Sequence, residues 1–271
     1  MEDLTLKSDL FNNIKFNMQK LILDVPTTDA EWLAKIFAAN EADVGKLLGE
    51  FKELLHSQAI KIREEVEIPS INRPVRIAFV GDSITSDRAS YLNIIRELYK
   101  DDPNITLIDA AVSGDKTDDA VMKFYFRTLD QKPDIVHILL GTNDLRHNQD
   151  SFGRSCLSLE EIRRNYEYML HTLQVRRIPA VISQISPTIT EHCRLRFPDD
   201  NWAYVQDEID RVNAIIAEEA DKYDAILNPV SVEYKKYKPE ELLLQDGLHL
   251  NETGQYILTK SVLQSLAKVL K

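Results

Sequence analysis

The sequence predicts an α/β protein in which a five-stranded parallel sheet is covered by helices on both faces and preceded by a helical N-terminal extension. Three observations predict it. From Val75 onward, short β-rich apolar runs alternate with stretches of helical period, the pattern of strand-helix-strand units. Polar clusters rich in Gly, Asp, Ser and Asn follow the first three runs, where a parallel sheet presents its carboxyl ends. The first 70 residues carry helical periodicity alone and stop at a break bounded by Pro69 and Pro74.

Within the extension, Leu10, Ile14, Met18, Leu21 and Val25 recur at helical spacing. Thr28 followed by Glu31 fits a capping box ahead of Trp32, Leu33, Ile36 and Phe37. Asn40 is placed to cap a longer helix that carries Val44, Leu47, Leu48, Phe51, Leu54, Leu55 and Ile62 along one stripe. An apolar stripe of that length needs a partner, either the rest of this chain or a second copy. Lid, dimerisation arm and packing buttress are the three roles open to residues 1–70. Packing or self-association is the expectation, with a homo-oligomer joined through these helices. The division expected is an extension over 1–70 and a domain over 74–271.

The five strand candidates are Val75–Val80, Ile105–Ile108, Ile135–Leu140, Ala180–Ile185 and Ala225–Leu227. Each is nearly continuous in apolar residues, as strands buried on both faces are. The intervening helices fall near Arg88–Tyr99, Asp118–Leu129, Leu159–Val175 and Tyr204–Lys222, and Thr253–Leu270 closes the chain.

Composition narrows the function. The chain has 271 residues, enough for a sizeable core without disulfides, and a formal net charge of -11. An acidic surface disfavours nucleic acid and anionic lipid as partners. Its two cysteines, Cys156 and Cys193, form no CxxC pair, which excludes a disulfide framework and a cysteine-rich metal site. Residues 1–24 have mixed charge and no apolar core of a signal peptide, and no apolar run approaches the roughly 20 residues that span a bilayer. A cytoplasmic protein without membrane insertion is expected. GxGxxG and GxxxxGK[ST] patterns are absent, which argues against a nucleotide-binding fold.

Five of the eight glycines, Gly81, Gly114, Gly141, Gly247 and Gly254, lie in or beside the polar clusters. Ser83, in Gly81-Asp82-Ser83-Ile84-Thr85, is a hydroxyl at a strand-to-helix turn, where backbone amides favour developing negative charge. A serine hydroxyl needs a base, and His249 is the best candidate because imidazole titrates near neutrality. Asp246, three residues earlier, is placed to orient that imidazole. The amides of Ser83 and Gly114 and the side-chain amide of Asn143 would supply three oxyanion donors. Each cluster alone reads as a turn or a helix cap; their ordered occurrence together does not. His137 lies inside an apolar strand and reads as a packed core histidine. His56, His147, His171 and His192 read as solvated side chains, and Asp82 and Asp144 as turn-forming or supporting groups.

With those residues in place, the chain resembles the SGNH, or GDSL-type, hydrolases, named for a Ser, a Gly, an Asn and a His in four separated blocks. The matching blocks are GDSIT with Ser83, VSGDKT with Gly114, GTND with Asn143 and DGLHLNETG with His249, in family order over about 74–271. The resemblance implies Ser83 as nucleophile, His249 as base, Asp246 as its partner, and Ser83, Gly114 and Asn143 as the oxyanion hole. It also implies a flavodoxin-like three-layer sandwich with strand order 2-1-3-4-5. Leu250 stands where many relatives have proline, which predicts a less rigid loop, and nothing in the resemblance accounts for residues 1–70.

The function expected is a serine-dependent carboxylic ester hydrolase that needs no metal or cofactor. Its substrate would be a small-molecule ester with a short acyl group such as acetyl. A lysophospholipase- or thioesterase-like acylhydrolase, or a binding module that keeps the site without turnover, are the alternatives. The polar loop between Ser186 and Ala203, with Arg194, Arg196, Asp199, Asp200 and Trp202, is expected to line the pocket. Trp202 more readily anchors that loop than stacks on a sugar.

Overall fold

The computed structural model describes residues 10–20, 27–148, 153–198 and 201–270. Strands β1 (Val75–Gly81), β2 (Ile105–Asp109), β3 (Ile135–Leu139), β4 (Ala180–Ser183) and β5 (Ile226–Asn228) form one parallel sheet in the order β2-β1-β3-β4-β5. The register pairs Ile77 of β1 with Leu107 and Ile135, and Val181 of β4 with His137 and Ile226. β3 and β4 are buried along their whole length, and β1 everywhere except Arg76. The connection leaving β1 runs toward β2 and the one leaving its other neighbour β3 runs toward β4, so the two diverge at the carboxyl ends of β1 and β3 and open a crevice there.

Two helical layers cover the sheet. In chain order the main helices are α1 (Ala30–Ile36), α2 (Glu41–Glu65), α3 (Tyr91–Leu98), α4 (Thr117–Lys123), α5 (Leu159–Arg176), α6 (Thr190–Arg196), α7 (Gln206–Lys222) and α8 (Glu252–Leu266). α4 packs on α5 and α5 on α7, while α8 packs on α3 and α2 lies against both. Among the described residues, no helix is long and apolar enough to cross a membrane.

Several elements depart from expectation. α1 is capped by Asp29, whose carboxylate accepts the Trp32 amide at 3.0 Å, not by Thr28. An Asp is at least as good a cap as Thr and stands one residue closer to the helix. α4 ends at Lys123 and the chain continues as a wider π turn, Phe124–Thr128, that buries both Phe124 and Thr128. α6 replaces part of the loop expected between Ser186 and Ala203; Asp199 and Asp200 of that loop lie outside the described residues. The helix expected from Leu10 to Val25 covers 10–15 and then turns at residues 16–18, because Asn17 adopts φ +52°, a conformation asparagine tolerates better than most residues. Leu21 and Val25 lie outside the described residues.

The apolar stripe of α2 finds its partners within the chain. Val44 and Phe51 form a small cluster with Ile14, Leu33, Ala34 and Ala89. Ala59 and Ile62 join the main core, which runs through the sheet.

Candidate active site

β1 ends at Gly81, and Asp82 caps the single helical turn Ser83–Ser86 by accepting the Ile84 amide at 2.9 Å. That turn stands Ser83 at the mouth of the crevice. The block after β2 reverses at Gly114, whose φ of +85° is a left-handed conformation that a side chain would strain. The block after β3 forms a short turn, Asn143–Leu145, and the Asp144 carboxylate on it accepts the Thr117 amide and hydroxyl. The second and third blocks are thus tied to each other. The fourth block turns at Gly247, with φ +70°, where a Cβ would sit 2.5 Å from the Ile189 carbonyl oxygen.

Ser83, Asp246 and His249, far apart in sequence, meet in one chain of hydrogen bonds. Asp246 Oδ1 accepts the amides of Leu248 and His249 at 3.0 Å each, which folds the loop around the carboxylate. Asp246 Oδ2 lies 2.7 Å from His249 Nδ1, and His249 Nε2 lies 2.8 Å from Ser83 Oγ. Burial pushes the Asp246 carboxyl up, but the adjacent imidazole and the two amides outweigh it and hold it down at about 2. An ionised carboxylate only accepts, so Nδ1 carries the imidazole proton and Nε2 is left to accept from the serine hydroxyl. The loop itself is fixed by a bridge in which the Leu244 amide donates to the His249 carbonyl at 2.7 Å and the Asn251 amide to Leu242 at 2.9 Å. These bonds restrain the segment that Leu250 was expected to loosen.

Gly114 and Asn143 face the same cavity, of about 230 Å³, as Ser83 and His249. Asn143 Nδ2 donates to the Asp115 carbonyl at 3.1 Å, a second tie between the third block and the second. Among the described residues the Ser83 and Gly114 amides donate to no protein acceptor. Burial raises the carboxyls of Asp82 to about 7 and of Asp144 to about 6, and both serve the turns on which their neighbours stand.

His137 is fully buried between the Tyr91 hydroxyl at 3.1 Å and the Ser183 hydroxyl at 2.7 Å, a packed core residue. His147 differs from expectation: it is mostly buried, with Nε2 2.7 Å from Glu208, a partner too distant in sequence to be read from spacing. His56 pairs with Glu97 at the surface. Trp202 lines the cavity, yet its ring is stacked on Phe197 at 4.0 Å and lies under the Arg146 guanidinium at 4.5 Å, so its π surface is committed within the protein.

The residues that sequence reasoning missed come mainly from the N-terminal segment. Asn12, Asn13, Phe16 and Met18 line the cavity, and the Phe16 ring stacks on the His249 imidazole at 3.9 Å with 26° between planes. Arg146, three residues past Asn143, was missed as well, although its place in the Asn143 block was a usable signal.

A sequence profile of the GDSL-like lipase/acylhydrolase family matches residues 79–257. The uncharacterized protein YpmR of Bacillus subtilis (strain 168) is 22% identical over 216 residues, 71% of this chain and 81% of that one. Among solved structures, a lipase/acylhydrolase from Enterococcus faecalis superposes with a TM-score of 0.60 at 21% identity, covering 73% of this chain and 97% of its own. The acetylxylan esterase Axe2 from Geobacillus stearothermophilus superposes with a TM-score of 0.59 at 18% identity, covering 72% and 95%.

Proposed function

The chain belongs to the GDSL-like lipase/acylhydrolase family, and from that premise we propose that it hydrolyses carboxylic esters of short acyl groups, acetyl above all, through an acyl-enzyme on Ser83. The observation that carries the reading is the Asp246–His249–Ser83 chain, with links of 2.7 and 2.8 Å, facing a cavity that also holds Gly114 and Asn143.

Ser83 Oγ attacks the acyl carbon while His249 Nε2 takes the hydroxyl proton. Asp246 holds the Nδ1 proton and stabilises the imidazolium. The developing oxyanion accepts from the Ser83 and Gly114 amides and from Asn143 Nδ2, each such donor being worth roughly 3 kcal/mol in the transition state. His249 then gives its proton to the leaving alcohol. Water, deprotonated by the same nitrogen, attacks the acyl-enzyme and releases the acid.

The modest cavity favours a short acyl chain, and the likeness to Axe2, an acetylxylan esterase by name, points the same way. The test is hydrolysis of p-nitrophenyl esters from acetate to palmitate by the wild type and Ser83→Ala. Activity that needs Ser83 and falls steeply with chain length is expected. Activity that rises with chain length would redirect the substrate toward lipids. Full activity in Ser83→Ala would overturn the mechanism.

A further inference from the structure

We propose that residues 10–20 form a wall of the substrate site, and that Phe16, stacked on His249, is the specificity-determining residue that limits the alcohol part of the ester. The proposal rests on the ester-hydrolase reading and goes beyond it by giving part of the N-terminal extension a role in the reaction.

The segment is tied to the two blocks that carry Ser83 and Gly114. The Phe16 carbonyl accepts the Ser113 hydroxyl and, at 3.3 Å, the Ser86 hydroxyl. Asn17 Nδ2 donates to the Ser86 carbonyl. Arg88 gives its backbone amide to the Lys15 carbonyl and its Nε to the Ile14 carbonyl, both at 2.7 Å. Lys15 is ion-paired with Asp87, both side chains buried. Lys20 reaches Asp109 at 2.8 Å and the Ala111 carbonyl at 2.7 Å. A segment serving only as packing would need none of this polar anchoring beside the reacting serine. Here the anchors fix one aromatic ring against one imidazole.

The chemistry decides which part of the substrate meets that ring. In the acylation step His249 Nε2 delivers its proton to the leaving oxygen, so whatever lies against the imidazole borders the alcohol, not the acyl chain. Phe16 and Met18 line the cavity there. Asn12 lies between this cavity and a second one of about 460 Å³, which Phe11, Leu195 and Leu244 also line. Small alcohols fit beside Phe16, and larger ones are held off until the wall is cut back.

The experiment holds the acyl group constant and varies the alcohol, using phenyl acetate and 1-naphthyl acetate. Phe16→Ala is expected to raise the naphthyl-to-phenyl ratio of kcat/KM about tenfold over the wild type, the scale on which a pocket discriminates size. Met18→Ala, which disturbs no hydrogen bond of the segment, should move the ratio the same way, and Phe16→Tyr should leave it unchanged. A ratio unaltered in both folded alanine variants overturns the proposal while Ser83-dependent hydrolysis leaves the ester reading intact. The second readout needs no turnover: the ring current of Phe16 shifts the carbon-bound imidazole protons of His249 upfield in NMR spectra, assigned with His249→Gln. Phe16→Leu should abolish that displacement. Its absence from the wild type overturns the wall even if no ester is hydrolysed, whereas a wild type that shows it but lacks hydrolysis overturns the ester reading, and with it the alcohol selectivity, but leaves the wall standing.

Discussion

His137 and His249 contrast in what surrounds an imidazole. His249 has a carboxylate on one nitrogen and a serine on the other, while His137 has only neutral hydroxyls and full burial. Burial lowers His137 from the ordinary 6.5 to about 3. A pKa lowered in the folded state gives stability that is complete above the unfolded value and is lost as pH falls toward the folded one. His137 is therefore expected to cost the fold about 3 kcal/mol by pH 4, and His137→Gln should flatten that part of the curve. Urea midpoints between pH 7 and pH 4 check this, and parallel curves for the two proteins would refute it. At this scale the polar residues were legible in the sequence because their blocks recur in order beside successive strand candidates, a combination that turns and caps taken singly do not account for. Phe16 was not legible. It is an ordinary apolar residue next to a helical stripe, and only its distant contact with His249 distinguishes it.

At the scale of elements, the strands agreed with their apolar runs to within two residues, because central parallel strands must be apolar on both faces. The short helices Ser83–Ser86, Val230–Tyr234 and Pro239–Leu242 were hidden, since a single turn carries too few residues to display a period. The segment over 10–20 was hidden for another reason: its partners Asp87, Arg88 and Ser113 in loops, and Asp109 at the end of β2, come together only in the assembled sheet. Its anchoring carries a prediction. Lys15→Met leaves Asp87 buried and unpaired, at a cost of about 3–5 kcal/mol, and adding Asp87→Asn should recover part of the loss. Thermal denaturation of the two variants measures it; a single variant as stable as the wild type would show that the pair contributes nothing.

For the molecule as a whole, the extension and the sheet share their packing. Ala59 and Ile62 of α2 belong to the main core, and α2 covers α3 and α8. A chain beginning at Ile71 is expected to expose that face and to aggregate, read by light scattering beside circular dichroism. A soluble, folded and monomeric product would assign the helices no structural part. The contact between Phe16 and His249 also sets an order of events. The polar anchors of residues 10–20 lie between Ser86 and Ser113, whereas the Phe16 ring meets an imidazole in the last block, and closing so long a loop is entropically unfavourable until the sheet supplies the docking surface. During refolding, secondary structure should therefore return before the pocket acquires its selectivity.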